Sequence, residues 1–215
     1  MIAVIKGDII HSRELKNQDK WLLPLKQYLS KWGTSPQKWE IVWGDFFQLE
    51  IDNPMEALSA AIEIKALIKS VEPEIMSSKM LSTIDVRMAI GIGQKEYAGK
   101  SISENNGEAY IFSSEKFERL KNEKSTLAIQ TLSNDFNEEM NLYLRLATRF
   151  MDNWSVNSGK IVQVFFKNRN LTQNEIGVEL GIKQNSVSGR FNRANVQEVL
   201  DLDNMFRKKL KKLME

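Results

Sequence analysis

Two aspartates follow glycines at the ends of strand-like segments, where carboxylates could be brought together to hold a cation. Asp8 closes the first strand-like segment, IAVIKGDII, and Asp45 lies between the runs KWEIVW and FFQLEI. Mg²⁺ prefers oxygen ligands and is commonly held by one or two carboxylates together with waters and phosphates. With the backbone carbonyl of Ile9, the two aspartates would form an oxygen-rich Mg²⁺ site at one edge of a sheet.

Three interpretations of these aspartates are open. Gly and Asp both favour turns, so each Gly-Asp pair could be only a turn and strand-end device. The pair could instead bind a cation and a nucleotide-like ligand, or belong to an enzyme that acts on nucleotides. The sequence contains no cysteine and a single histidine, His11, which excludes thiolate ligands and zinc sites with two histidines.

The segment LTQNEIGVELGIKQNSVSGRFNRAN, residues 171–195, has the pattern of a helix-turn-helix. Thr172 can cap a first helix, with Glu175 three residues later in the capping-box position. Gly181 permits a sharp turn, and a polar second helix is predicted to begin near Gln184. The apolar residues expected to hold the unit together are Ile176, Leu180, Ile182 and Val187.

In a helix-turn-helix, the second helix enters the major groove with its N-terminal residues facing the bases. Gln and Asn can pair with adenine, and Arg can bind guanine or phosphate. We therefore expect binding to double-stranded DNA through Thr172, Gln173, Gln184, Asn185, Ser186, Ser188, Arg190 and Arg193. The alternative is an ordinary helical hairpin with a solvated polar face.

Two kinds of structure follow one another along the chain. Predicted strands cover residues 2–6, 38–43, 46–51, 85–93 and 125–131, with helices over 18–31, 53–71 and 107–121 between them. The order β-α-β-β-α-β-α-β is that of a ferredoxin-like α+β sandwich with an extra helix–strand unit. Only helical patterns follow, so we predict an α+β domain over residues 1–133 and an all-α helix-turn-helix domain over 134–215. Trp39 and Trp43 are expected to pack in the core or in an interface.

The charge also changes along the chain. Residues 1–140 hold 17 Lys or Arg and 21 Asp or Glu, whereas residues 141–215 hold 13 and 7. The basic half is therefore the one suited to a polyanion. The sequence has no cysteine, no leader-like start and no apolar run of the roughly 18 residues that a membrane span needs. We therefore expect a cytoplasmic protein with no membrane contact.

The first 120 or so residues resemble the catalytic domain of class III nucleotidyl cyclases. There one Asp closes the first strand and a second follows a glycine between strands two and three, as Asp8 and Asp45 do here. The resemblance continues through PMEALSAAIEI, VRMAIGIG and GEAYIFSSEKFERL, and it implies a cyclase-like sandwich. The positions of the cyclase lysine, asparagine and arginine fall on Ile41, Ile111 and Glu115. Since one lost oxyanion-type donor costs about 10²–10³ in rate, we expect no cyclase turnover and assign no catalytic residue.

The C-terminal motif resembles the DNA-binding helices of many bacterial regulators. Preceded by NWSVNSGKIVQVFF, it is similar to the sigma-factor region that reads promoter DNA, in which the preceding helix would open near residues 155–159. Together, MIAVIKGDIIHSR, WGDFFQLEI and the terminal motif resemble the SatD family of bacterial proteins over nearly the whole chain. This resemblance implies a cytoplasmic regulator.

The function expected from the sequence is that of a homodimeric, DNA-binding transcriptional regulator. Its cyclase-like domain would dimerise and sense a nucleotide-like ligand. One alternative is a metal-dependent nucleotide-processing enzyme with a DNA-targeting tail. Another is a scaffold whose helix-turn-helix packs against a protein partner.

Overall fold

A five-stranded sheet forms the centre of the computed structural model, which describes residues 1–73, 84–123 and 125–215 and the backbone of residues 75–76 and 79–80. The strands of this sheet are β1 (Ile2–Ile10), β2 (Trp39–Val42), β3 (Phe46–Ile51), β6 (Asp85–Gly93) and β7 (Leu127–Gln130). They lie in the order β2-β3-β1-β6-β7, with only β6 and β7 parallel. A separate hairpin pairs β4 (Ile75–Met76) with β5 (Lys79–Met80).

The helices are α1 (Asp19–Leu29), α2 (Ala57–Lys69), α3 (Glu108–Leu120), α4 (Asn134–Met151), α5 (Val156–Lys167), α6 (Gln173–Leu180), α7 (Gln184–Ala194) and α8 (Val196–Met214). The predicted fold class, an α+β sandwich followed by helices, is confirmed. The first four strands of the large sheet have the ferredoxin-like order, and β7 extends it beyond β6. Among the described residues, no helix is long and apolar enough to cross a membrane.

Helices cover both faces of the large sheet. Because side chains alternate along a strand, Ala3 and Ile5 of β1 join the core formed with α1 and α2, whereas Val4 packs with Ala109 of α3 on the other face. The approach of α3 is close: a Cβ on Gly91 of β6 would lie 2.2 Å from the carbonyl oxygen of Ala109. The sheet is therefore the middle of three layers.

The two Gly-Asp pairs occupy different settings. The prediction that Asp8 ends a strand is wrong, because β1 continues to Ile10 and Asp8 lies within the sheet, opposite Arg87 of β6. The second pair lies in a turn as predicted: Trp43, Gly44 and Asp45 connect Val42 of β2 to Phe46 of β3, and Trp43 and Gly44 have positive φ of 53° and 90°.

The two tryptophans of the β2 region also differ. Trp39 is buried, whereas Trp43 is 90% exposed in this chain, because it stands in the turn beyond the last residue pair of the two strands. Core packing is therefore confirmed for Trp39, whereas Trp43 lies outside the core of this chain and its packing in an interface stays a prediction.

The helical region packs directly onto the α+β region, and one hydrophobic cluster contains residues of both. Helix α5 lies against α2 so closely that a Cβ on Gly159 would be 2.6 Å from the carbonyl oxygen of Ala66. Beneath this contact, the buried ammonium of Lys65 lies 2.7 Å from carboxylate oxygens of both Asp85 and Asp152. The α+β region and the helices are thus joined by apolar packing and by a buried ionic cluster.

Candidate nucleic-acid interface

The first helix of the helix-turn-helix begins with the predicted capping box. The backbone N–H of Glu175 donates to the Thr172 hydroxyl oxygen at 3.3 Å, and the backbone N–H of Thr172 donates to the Glu175 carboxylate at 2.7 Å. Bonds from the side chain and the backbone of Thr172 lower the pKa of Glu175. This reciprocal cap fixes the start of α6.

The turn after α6 is tight because two glycines permit it. Gly181 has φ of 64°, the left-handed conformation that ends many helices. The N–H of Ile182 then donates to the carbonyl of Gly177 at 2.8 Å. A Cβ on Gly177 would lie 2.7 Å from the Ile182 carbonyl oxygen, so only glycine fits without a shift.

Helix α7 is anchored to the rest of the helical region along one side. Val187 and Ala194 are fully buried, and Phe191 makes an edge-on contact with Phe165 of α5 at 5.3 Å between ring centroids. The indole N–H of Trp154 donates to the carbonyl of Ala194 at 2.9 Å. These contacts determine which side of α7 faces outward.

At about 100° per residue, the side opposite Val187 and Ala194 is centred on Asn185, Gly189 and Asn192. We call this side of the helix the outward face of α7, and its flanks carry Ser186, Ser188 and Arg193. Of the other residues predicted to bind DNA, Gln184 and Arg190 lie outside this face, with Arg190 half-buried on the side nearer Val187, and Thr172 and Gln173 lie at the start of α6.

Sequence reasoning missed two exposed residues of this region, Asn192 on the outward face and Lys183 at the N-cap of α7. A helical projection phased on Val187 and Ala194 would have found Asn192. Lys183 is exposed and directly precedes α7. Its ammonium therefore adds a positive charge to the N-terminal end of the helix, which is the end that would approach DNA.

The cations of this surface are not neutralised by neighbouring acids. Within the described part of the chain, Lys183, Arg190 and Arg193 make no ion pair, although Arg193 lies over Gly189 of its own helix. By contrast, Arg169 and Arg207 both bind the buried carboxylate of Asp203, at 2.9 and 3.0 Å. The unpaired cations of α7 are thus available to phosphate groups.

Asp8, Ile9 and Asp45 lie together where β1 passes the β2–β3 hairpin. The N–H of Ile9 donates to the carbonyl of Asp45 at 3.1 Å, and the Ser12 hydroxyl donates to the Asp45 carboxylate at 2.9 Å. Asp8 Oδ1 is buried and has no hydrogen-bond partner among the residues that the structure describes, and Arg87 Nε lies 3.8 Å from it. Burial raises the pKa of Asp8, Arg87 opposes this shift, and Asp45 adds to it.

A cation would find two carboxylates here, one of them with an unpartnered oxygen. The described residues contain no cluster of three or more acidic, histidine or cysteine ligands. Mg²⁺ can nevertheless be bound by two carboxylates when waters complete its shell, so Asp8 and Asp45 fit such an ion, with Arg87 as a competing positive charge. At the positions of the cyclase asparagine and arginine, α3 carries the apolar Ile111 and the acidic Glu115, and neither side chain can stabilise the negative charge of a phosphate.

No family model matches this chain, and no curated protein is significantly similar to it.

Proposed function

We propose that the protein is a DNA-binding transcriptional regulator in which α7 enters the major groove of double-stranded DNA. The observation that carries this proposal is the outward face of α7, where amide and hydroxyl side chains stand beside cations without acidic partners. Such residues can pair with base edges and phosphates. The resemblance to the SatD family supports the same function.

The proposal includes a cytoplasmic homodimer formed by the cyclase-like region. Two-fold symmetry would present two copies of α7 to half-sites about one helical turn of DNA apart. It also includes Mg²⁺ held by Asp8, Asp45 and the carbonyl of Ile9, which would help to bind a phosphate of a nucleotide-like ligand. The chain's own residues there supply two carboxylates and the Ser12 hydroxyl.

DNA binding is tested by fluorescence anisotropy with a labelled random-sequence duplex, titrated between about 50 and 200 mM salt. We expect affinity to fall steeply with salt, and Lys183→Ala and Arg193→Ala to reduce the slope of log K against log salt by about one each. Lys121→Ala, at the C-cap of α3, is the control on a distant surface. Equal affinity across this salt range, or unchanged slopes in both variants, would contradict the assignment.

The second candidate is a metal-dependent nucleotide-processing enzyme, which the unpartnered oxygen of Asp8 favours. Its test is turnover of nucleotides with Mg²⁺ or Mn²⁺ by the wild type, Asp8→Asn and Asp45→Asn. Activity that survives both substitutions excludes a catalytic role for the pair. A sensor without turnover would instead show metal-dependent thermal stabilisation, about 2.7 kcal/mol when the ligand is at 100 times its dissociation constant.

A further inference from the structure

A cavity separate from the two aspartates lies on the α3 side of the sheet. It measures about 300 Å³ and is lined by residues of β1, β3, α3 and the loop before α3, among them Lys6, Gln48, Asn105, Tyr110 and Ser114. This volume is at the lower end of the range for ligand pockets, so it suits a small molecule.

Gln48 is the first feature of this cavity that points to a ligand. The side chain is 8% exposed and lines the cavity. Among the described residues, nothing makes a hydrogen bond to its carboxamide. The two N–H groups of its amide are therefore available to a molecule in the cavity.

Lys6 is the second feature, because its ammonium has a positive charge with no ion pair in the described structure. Within the described ranges, the ammonium donates one hydrogen bond, to the Ser114 hydroxyl oxygen at 2.5 Å. Ser114 in turn donates to the Tyr110 carbonyl at 2.7 Å, which holds the hydroxyl in place. The Glu118 carboxylate attracts Lys6 only from beyond ion-pair distance.

Unlike Lys6, two other lysines on this side of the sheet are ion-paired. Lys38 and Lys95 both bind the buried carboxylate of Glu50, at 2.7 and 2.8 Å, and Asn105 donates to the same carboxylate at 3.1 Å. The charge of Glu50 is therefore satisfied by Lys38, Lys95 and Asn105. Lys6 is left to bind an anion from outside the chain.

We propose that this cavity binds a small molecule by an anionic oxygen group, a carboxylate or a phosphate, which accepts hydrogen bonds from Lys6 Nζ and Gln48 Nε2. The site requires no metal and is independent of DNA binding. Glu115 lines the cavity and Glu118 lies nearby, so a singly charged group is favoured over a triphosphate.

The test is calorimetric titration of the full chain in EDTA with acetate and with inorganic phosphate, at constant ionic strength. We expect saturable binding of at least one probe, and the probe that binds identifies a carboxylate or a phosphate ligand. ATP should bind more weakly. Lys6→Met should abolish binding, and Gln48→Leu should weaken it about tenfold, because hydrogen bonds to charged groups are among the stronger ones.

Lys100→Met, at an exposed lysine of the loop before α3, is the matched control and should bind like the wild type. Gln48→Leu keeps the charge unchanged, so it tests the cavity even if Lys6→Met does not fold. Absence of binding by both probes, binding that survives both cavity substitutions, or tighter binding of ATP would overturn the proposal.

Discussion

Asn141 of α4 makes, with one carboxamide, both backbone hydrogen bonds that a further strand would make to Ile129 of β7. The N–H of Ile129 donates to Asn141 Oδ1 at 2.9 Å, and its carbonyl accepts from Asn141 Nδ2 at 2.8 Å. One turn earlier, Asn137 makes the equivalent pair with Thr131, both at 2.8 Å. Since β7 is an edge strand, α4 closes that edge of the sheet.

Asn141→Ala should lower the free energy of unfolding by about 2 kcal/mol, because it leaves two backbone groups of β7 without partners. Faster hydrogen exchange is expected at the Ile129 amide, together with a greater tendency to aggregate through the open edge. Urea unfolding and exchange mass spectrometry measure these effects. Glu138→Ala, on the exposed side of the same helix, is the control, and equal stability of the two variants would contradict this account.

Gly189→Ala should stabilise the protein and weaken DNA binding. In an exposed helix, Gly→Ala gains about 1 kcal/mol, and the new methyl would meet only the guanidinium of Arg193, at 3.4 Å. The same methyl would stand at the centre of the outward face of α7. Thermal unfolding measures the stability, and fluorescence anisotropy measures the DNA affinity. An increase in both stability and affinity would show that another face of α7 contacts DNA.

Gly177→Ala, in the same helix-turn-helix, should destabilise the protein. Its new methyl would lie 2.7 Å from the carbonyl oxygen of Ile182, so the turn must open. We expect a loss of about 1–3 kcal/mol of stability, as for other overpacked sites, and a loss of DNA affinity. Equal melting temperatures of this variant and the wild type would show that the turn is less tightly packed than described.

Trp43→Asn should raise the free energy of unfolding by about 1 kcal/mol, because a left-handed backbone is costly for a bulky residue and far less so for Asn. The loss of the Trp43–Phe46 ring contact, with centroids 6.0 Å apart, opposes part of this gain. Chemical unfolding of the variant and the wild type measures the net change in the free energy of unfolding. Trp43→Ala is the control, since it removes the ring without introducing a residue that favours the turn.

Glu50 should contribute to the acid sensitivity of the fold. Burial raises the pKa of Glu50, but hydrogen bonds from Lys38, Lys95 and Tyr110 outweigh burial and lower it below 4.5. A carboxyl with a depressed folded-state pKa adds stability above its unfolded value, and this stability is lost as pH falls through the folded value. Glu50→Gln should therefore be less stable than the wild type at neutral pH, with a difference that shrinks below pH 4.5.

Urea unfolding of both proteins from neutral pH down through this range measures that difference. Glu138→Gln controls for the loss of one negative charge at an exposed position. A difference between Glu50→Gln and the wild type that stays constant with pH would show that Glu50 does not titrate differently in the folded state.

The sequence by itself determined the order of the helices and of the strands of the large sheet, but not the β4–β5 hairpin, and it determined the internal form of the helix-turn-helix. The capping box of Thr172, the left-handed Gly181 and the buried Ile176 and Val187 all depend on residues only a few positions apart. Signals of this kind act within one or two turns of chain, so they are visible without knowledge of the rest of the molecule.

Only the tertiary structure decided which distant groups meet. The sheet register places Asp8 opposite Arg87 rather than at a strand end, and α3 brings Ser114 to Lys6 across 108 positions of sequence. The Asn137 and Asn141 contacts with β7 arise in the same way. The partner of a polar side chain depends on how distant elements pack against each other, and the residues next to it in the sequence do not determine that packing.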